Sequence, residues 1–353
     1  MPRALRTLVV GVGRMGRLHL DAYATLPGFA VVGLCSHAIH DQPSLPPPLA
    51  GLPRFTDLGE ALAALRPEVV SINTHVDSHA DYAVRALAAG AHVFVEKPLA
   101  RTLEDARRVV DTARANRRKL VVGYVLRHHP GWLRFCEIAG SLGRPLVMRI
   151  NLNQQSSSET WGWHKELLRW MSPLGDCGVH YVDMMRLMTG AEAVRVQAVG
   201  ARLSDELLPG RVNWAQLQVV FADGSVGWFE AGWGPMASEV AGFVKDVWGP
   251  RGAVSMVVDE SLASAALDSY TRPAVLRLHH ADGRPDETIR LGEEPSFAEL
   301  CRREQLFLRD AIEADRDLEE HWRDSLASLA IALAAEDSLR TGAPVRLDAG
   351  PGP

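Results

Sequence analysis

Apolar positions in the first 123 residues fall into short strand-like runs separated by stretches of helical period. Thr7–Val10, Ala30–Ser36, Val69–Asn73, His92–Val95 and Leu120–Gly123 are compact apolar runs of strand length. Between them, Asp57–Leu65 and His79–Ala89 place apolar residues at three- and four-residue spacing, as does Leu103–Arg114. The His79–Ala89 pattern stops at Gly90, a residue suited to a helix C-terminus. Strand–helix alternation of this kind predicts a parallel sheet covered on both faces. Gln42–Pro53 interrupts the pattern; Pro43, Pro46, Pro47 and Pro48 forbid helix there, and the segment reads as an exposed loop.

Past residue 123 the period changes. Leu146–Asn153 alternates as a strand, and Val212–Phe221 turns at Asp223-Gly224 into Val226–Trp233, a hairpin signature. Gly252–Asp259, Ala274–His280 and Thr288–Leu291 add strands, while Asp176–Thr189 and Phe297–Leu339 read as helical cover for one face. The fold class expected is therefore α/β in two parts. Residues 1–123 are expected to form an N-terminal α/β domain on a parallel sheet. Residues 124–353 form a C-terminal α+β domain with a large, mostly antiparallel open sheet. The tail Ala349–Pro353 reads as frayed.

Composition narrows the function. The 353 residues suit about two domains at ~150 residues each. A hydrophobic share of 47% supports sizeable cores, and 38 Lys+Arg against 43 Asp+Glu leave no basic excess for nucleic acid or an anionic membrane surface. Residues 1–10 lack the apolar core and small-residue cleavage site expected of a signal peptide, and no apolar run approaches the ~18 residues of a membrane span. Cys35, Cys136, Cys177 and Cys301 are scattered without a CxxC pair, which reads as reduced thiols of a cytoplasmic protein.

Candidate chemistry begins at Gly11-Val12-Gly13-Arg14-Met15-Gly16, between the first strand and a helical stretch. Gly11 permits a tight turn, Gly13 lets a pyrophosphate approach the backbone, and Gly16 lets the helix pack on the sheet. The helix N-terminus then offers N–H groups to the anion, so residues 1–123 read as an N-terminal Rossmann dinucleotide-binding domain. A ribose partner is expected about 20 residues further on, which lands on Ser36 rather than Asp. Serine does not repel a 2′-phosphate, and with His37 and His40 nearby the reading is NAD(P), leaning to NADP.

Two further motifs follow: Glu96-Lys97-Pro98 after the fourth strand, and Gly175-Asp176-Cys177-Gly178-Val179-His180 later. With the glycine turn, these resemble the glucose–fructose oxidoreductase / inositol dehydrogenase / rhizopine-catabolism (Gfo/Idh/MocA) family over nearly the whole chain. The resemblance implies an NAD(P)-dependent oxidoreductase acting on the secondary alcohol of a sugar, cyclitol or related polyol. It implies that Lys97 bonds the reacting oxygen and that Asp176 and His180 bind substrate and handle the proton. It also implies a homodimer or homotetramer and a cis bond before Pro98. His75 departs from the proline more usual there, so specificity near the nicotinamide does not carry over.

Elementary chemistry agrees with those roles. Oxidising an alcohol sends a hydride to the nicotinamide, so the protein must supply a base and stabilise alkoxide charge. Asp176 and His180 are four apart and would share one helix face. Histidine, titrating nearest neutrality, is the better base. Lys97 follows a parallel strand, where such sheets place ligand sites. Asn73, Thr74, His79, Glu96 and Arg127 join the candidate cofactor set, alongside Arg14, Met15 and His37. The polar loop containing Trp161, Trp163 and His164 supplies the candidate substrate wall. No metal is expected, since Asp176 and His180 lack a third ligand at suitable spacing. Two rival readings remain: a bound cofactor cycled in redox-neutral epimerisation or glycoside cleavage, and a non-catalytic NAD(P)-binding regulator.

Overall fold

The computed structural model describes residues 3–37, 49–237, 244–257, 275–292 and 295–347. Among these, six parallel strands form one sheet: β1 (Leu5–Val10), β2 (Phe29–Cys35), β3 (Arg54–Phe55), β4 (Val69–Ile72), β5 (His92–Val95) and β6 (Leu120–Val122). Their order is β3-β2-β1-β4-β5-β6, so the winding reverses between β1 and β4. Helices α1 (Arg14–Thr25), α2 (Leu58–Leu65), α3 (Val76–Ala88) and α4 (Leu103–Ala115) alternate with them. Every residue of β4 is buried, as the unbroken apolar run requires for a strand covered on both sides. Side chains stop fraying at two helix starts. Asp57 accepts from the Glu60 amide at 2.9 Å and Thr102 from the Asp105 amide at 3.0 Å, worth about 1 kcal/mol each.

The proline-rich segment departs from expectation where it is described. Leu49–Gly51 is a 3-10 turn with Leu49 buried, and Arg54–Phe55 pairs with β2. Proline forbids a helix, but it does not prevent an edge strand from starting just after it. His40 and the four prolines from Pro43 to Pro48 lie outside the described residues.

Among the described residues, the second sheet has nine strands. They are β7 (Val147–Gln155), β8 (Ala193–Ala201), β9 (Trp214–Phe221), β10 (Val226–Gly234), β11 (Lys245–Gly249), β12 (Gly252–Val257), β13 (Val275–His280), β14 (Glu287–Arg290) and β15 (Val345–Arg346). Their order is β14-β13-β12-β11-β7-β10-β9-β8-β15. All pairs are antiparallel except β7–β10, which run parallel from Val147 opposite Val226 to Gln155 opposite Gly234. The expected hairpin turns at Gly224, whose φ of +83° suits glycine. Val258, Asp259, Ala274 and the tail Ala349–Pro353 lie outside the described residues.

Several elements were not visible in the pattern. β8 carries a register shift between Ala193 and Arg195 that breaks its alternation. β11 buries a lysine at Lys245 in place of an apolar residue. Helices α5 (Pro130–Ser141) and α6 (Ser158–Leu167) were also missed; α6 is the polar segment expected as a loop. α7 (Pro173–Asp176) and α8 (Gly178–Thr189) follow it, and the long C-terminal stretch divides into α9 (Phe297–Glu313) and α10 (Glu319–Thr341). Asp315, at φ 45°, sits in the break.

Packing divides the chain into two compact units, Met1–Val125 with Ala298–Leu326, and Leu126–Phe297 with Ala327–Pro353. A single cut at residue 123 therefore does not describe it, because a C-terminal stretch returns to the first unit. The reason is local. Trp322 Nε1 donates to the Leu120 carbonyl at 2.8 Å, and His321 Nε2 accepts from the Val122 amide at 3.0 Å. The edge strand β6 thereby gains partners for backbone groups that a parallel sheet would otherwise expose.

Candidate active site

In the first unit, the glycine turn follows β1 at the point where the sheet order reverses, which is where doubly wound sheets open a crevice. Gly11 has φ +78°, and a Cβ there would lie 2.6 Å from the Asn73 carbonyl oxygen. Gly16 is tighter still, with a hypothetical Cβ 1.8 Å from the Gly11 oxygen. Gly13 is the opposite case: it caps α1, and a Cβ there would meet nothing within 4 Å. Two glycines are thus required by packing, while Gly13 leaves open space at the helix start. The exposed Arg14 and half-buried Met15 follow, with no acidic residue in the first turn of α1. An anion is well matched to this helix end.

Asn73 ends β4 beside that turn, held by its Nδ2 on the Ser71 carbonyl at 3.2 Å. Thr74 bonds Ser78 at 2.7 Å between hydroxyls. Ser36 lies half-buried after β2, its amide bonded to the Phe55 carbonyl at 3.0 Å. His37 is exposed and meets the Tyr82 hydroxyl at 3.1 Å. His79 is 1% exposed and bridges the Pro98 and Thr74 carbonyls at 2.8 and 3.0 Å. Burial holds its pKa below the ordinary value. Both ring nitrogens face backbone carbonyls, and the single N–H of the neutral ring donates to one of them, so it is placed to brace the Thr74 and Pro98 turns.

Glu96-Lys97-Pro98 follows β5, and the Lys97–Pro98 bond is cis, as the resemblance implies. Lys97 is half-buried, and its backbone N–H donates to Glu96 Oε2 at 3.2 Å. Gly11, Gly13, Asn73, Thr74, Glu96 and Lys97 therefore share the carboxyl edge of one sheet.

In the second unit, α6, α7 and α8 all pack against β10. Phe229 and Trp233 point from the same strand face, four residues or about 13 Å apart. Phe229 stacks on Tyr181 at 4.8 Å, and a Cβ on Gly178 would come within 3.1 Å of its ring. Trp233 stacks on His164 at 4.4 Å and 11°. One strand thus seats both the Asp176–His180 segment and the tryptophan helix.

Asp176 and His180, both half-buried, do not lie on one continuous helix. Asp176 ends α7, Cys177 forms the junction, and the His180 amide bonds back to the Cys177 carbonyl at 3.2 Å. Glu336 anchors this junction: its Oε1 accepts from the Ser172 amide at 2.9 Å, the Ser172 hydroxyl at 2.6 Å and the Gly175 amide at 3.1 Å. A Cβ on Gly175 would lie 2.6 Å from that oxygen, so the motif's first glycine is required by the glutamate.

Trp161 is buried and gives its indole N–H to Glu206 at 3.0 Å, which makes it an anchor for α6. His164 is 2% exposed, whereas Trp163 stands at 36%. Arg127 binds Asp183 through both arms, Nε at 2.6 Å and Nη2 at 2.8 Å. Its guanidinium is committed to the core of the second unit, a better account of it than cofactor binding.

Lys245 was not anticipated. Fully buried, it donates to the Asn151 carbonyl and stands 5.6 Å over the Tyr181 ring. Burial pushes its pKa down to about 7, against a smaller upward effect from Cys177. Between that value and the ordinary 10.5, the unfolded chain binds a proton the folded one does not. Stability is therefore expected to rise with pH across this window. Lys245→Met should flatten that slope in thermal melts; an unchanged slope would locate its cause elsewhere.

All four cysteines are free and buried, and no helix among the described residues is long and apolar enough to cross a membrane.

The parallel sheet with its glycine turn and the mostly antiparallel second sheet define a two-part α/β architecture whose first unit is of the dinucleotide-binding kind. The chain belongs to the GFO/IDH/MocA family: the oxidoreductase family model with an NAD-binding Rossmann fold matches residues 5–124, and the GFO/IDH/MocA C-terminal domain matches residues 138–254. It is 29% identical over 197 residues to D-glucoside 3-dehydrogenase of Escherichia coli, covering 54% of this chain and 56% of that protein. It is 34% identical over 149 residues to inositol 2-dehydrogenase of Salmonella paratyphi B, covering 41% and 44%. The chain thus spans about half the length of the curated relatives it matches. An oxidoreductase from Agrobacterium radiobacter, solved with NAD+, L-tartaric acid and magnesium, superposes with a TM-score of 0.76 at 18% identity over 98% of both chains.

Proposed function

We propose that the protein is an NAD(P)-dependent dehydrogenase that oxidises a secondary alcohol of a sugar, cyclitol or related polyol, reversibly. The observation carrying this reading is the meeting of an open glycine turn and Lys97 at the carboxyl edge of one parallel sheet. The relatives named for glucoside and inositol oxidation support the substrate class. Incubation with inositols, hexoses, pentoses and amino sugars, with NAD and NADP in parallel, tests it. Reduced-nicotinamide absorbance should rise with at least one polyol. Silence across the panel with cofactor still bound would favour a regulator.

The residues fit a dinucleotide. Gly11, Gly13 and Gly16 with the α1 N-terminus would hold the pyrophosphate, Asn73 and Thr74 would border the nicotinamide side, and Ser36 and His37 the adenosine ribose. When bound, the nicotinamide accepts or returns the hydride. Lys97 then offers its ammonium to the substrate oxygen as negative charge develops, and Glu96 holds the lysine's backbone. His180 takes the hydroxyl proton, with Asp176 orienting it or binding a neighbouring hydroxyl. Trp163, 36% exposed, presents an aromatic surface to the C–H side of the sugar, while His164 is buried against Trp233 and backs it.

We favour NADP because Ser36 leaves the end of β2 without a carboxylate to repel a 2′-phosphate. Ser36→Asp is expected to move the NAD/NADP preference toward NAD by about tenfold, one charge–charge contact of roughly 1.4 kcal/mol at a partly exposed site. An unchanged ratio of kcat/KM values would remove this basis. The same reading makes the enzyme cytoplasmic and homo-oligomeric. Val147, Val226 and Trp248 support assembly, since they stand 40%, 40% and 51% exposed on the second sheet.

A further inference from the structure

Behind the Lys97 turn, four buried side chains from distant parts of the first unit form one hydrogen-bonded chain. The Tyr23 hydroxyl donates to Gln305 Oε1. Gln305 Nε2 lies 3.0 Å from His19 Nδ1, and His19 Nε2 lies 2.7 Å from Glu96 Oε1. The other Glu96 oxygen, Oε2, accepts the Lys97 backbone N–H at 3.2 Å. Tyr23, Gln305, His19 and Glu96 are 1%, 0%, 0% and 7% exposed. Their segments meet only in the fold: α1 supplies two members four residues apart, α9 one, and the end of β5 the last.

We propose that Tyr23, Gln305 and His19 form a directed hydrogen-bond relay that holds the Glu96 carboxylate on the backbone of Lys97, making His19 and Gln305 positioning residues for the turn that carries the lysine. The direction follows from donor and acceptor types. Because the amide oxygen accepts from Tyr23, the amide nitrogen faces His19 and donates. Nδ1 must then accept, so the ring proton resides on Nε2 and points at Glu96. Each bond fixes the next, and a buried bond to a carboxylate is among the stronger kinds. The idea rests on the catalytic role proposed for Lys97, but the relay itself does not.

The surroundings keep that arrangement single-valued. His19, Cys301 and Glu304 place their polar atoms within 4.8 Å of one another, a set with the elements of a metal site. Both His19 nitrogens are already bonded, however, which leaves no lone pair free for an ion. Glu304 is 1% exposed, its Oε1 has no hydrogen-bond partner among the described residues, and burial beside Glu96 raises its pKa well above the ordinary carboxylate value. Gly123 allows this crowding, since a Cβ there would stand 3.5 Å from both carboxylates and 3.1 Å from Phe94.

The test uses the full chain with 15N-labelled histidine. Among 13 histidines, the His19 signals are assigned by their loss in His19→Gln. The proton is expected on Nε2 in the unaltered protein; a proton on Nδ1 would overturn the relay whether or not any polyol is turned over. Gln305→Glu replaces the donating amide by an acceptor of the same shape. It should put a proton on Nδ1 and speed hydrogen exchange at the Lys97 amide by about tenfold as the Glu96 bond loosens. The kcat should fall by roughly tenfold or more while cofactor Kd stays within about twofold, as for a group that orients a catalytic one. Unchanged Lys97 exchange and unchanged kcat in both His19→Gln and Gln305→Glu would overturn the positioning role.

Discussion

Lys97→Ala is expected to lower kcat by on the order of 10²–10³-fold while leaving cofactor Kd within about twofold. The argument is electrostatic. Alkoxide charge develops on the substrate oxygen only as the hydride leaves, so an ammonium there lowers the barrier more than it tightens binding. Lys97 is half-buried on a turn whose backbone is held by the Glu96 carboxylate, which lets its charge act from a set position. The cofactor contacts proposed for Gly11, Gly13 and Asn73 do not depend on its side chain. Lys97→Arg should recover only part of the activity, because the guanidinium is larger and spreads its charge. Steady-state kinetics with a competent polyol, paired with cofactor titration by intrinsic fluorescence, checks both halves. Near-normal turnover in Lys97→Ala would remove the lysine from the mechanism.

The second large effect concerns stability. Asp183 is wholly buried, receives both arms of Arg127, and also accepts from the Ser328 hydroxyl at 2.8 Å. Removing one partner strands the other charge in a poorly hydrated site, which costs about 3–5 kcal/mol. Asp183→Ala should therefore lower Tm by roughly 10 °C in a unit of this size. Arg127→Met should do nearly as much, and the pair Arg127→Met with Asp183→Leu should recover a good part of the loss. Differential scanning calorimetry measures this directly. Cofactor affinity supplies the contrast: if Arg127 served the cofactor, Arg127→Met would weaken binding and leave Tm nearly unchanged.

These two residues illustrate how far sequence reasoning reaches. Lys97 was legible because its strand, its proline and its neighbours make a local motif whose geometry is set within a few residues. Arg127 was not legible in the same way. An arginine after a strand suits a cofactor or a salt bridge equally well in one dimension, and its partner lies 56 positions away. The Asp176–His180 segment falls between the cases. Its spacing suggested one helix face, but α7 ends at Asp176 and α8 starts at Gly178, with Glu336 from α10 holding the Ser172 and Gly175 amides of the first. Lys245 left no signal at all, since a lysine inside a strand reads as an exposed position. His79 and Trp161 were singled out for ligands, yet each meets a protein partner.

By itself, the sequence determined the alternating sheet of the first unit, the glycine turn, the Glu96-Lys97-Pro98 element and the family to which they belong. Those features are local: hydrophobic period, turn chemistry and short motifs act over a few residues, so one dimension suffices to read them. Tertiary structure alone decided that Ala298–Leu326 returns to the first unit, and that β7 and β10 run parallel inside an otherwise antiparallel sheet. It alone brought Tyr23, Gln305 and His19 together behind Glu96. Buried polar groups must find partners wherever the fold brings them, and the chain between two such partners carries no record of their meeting.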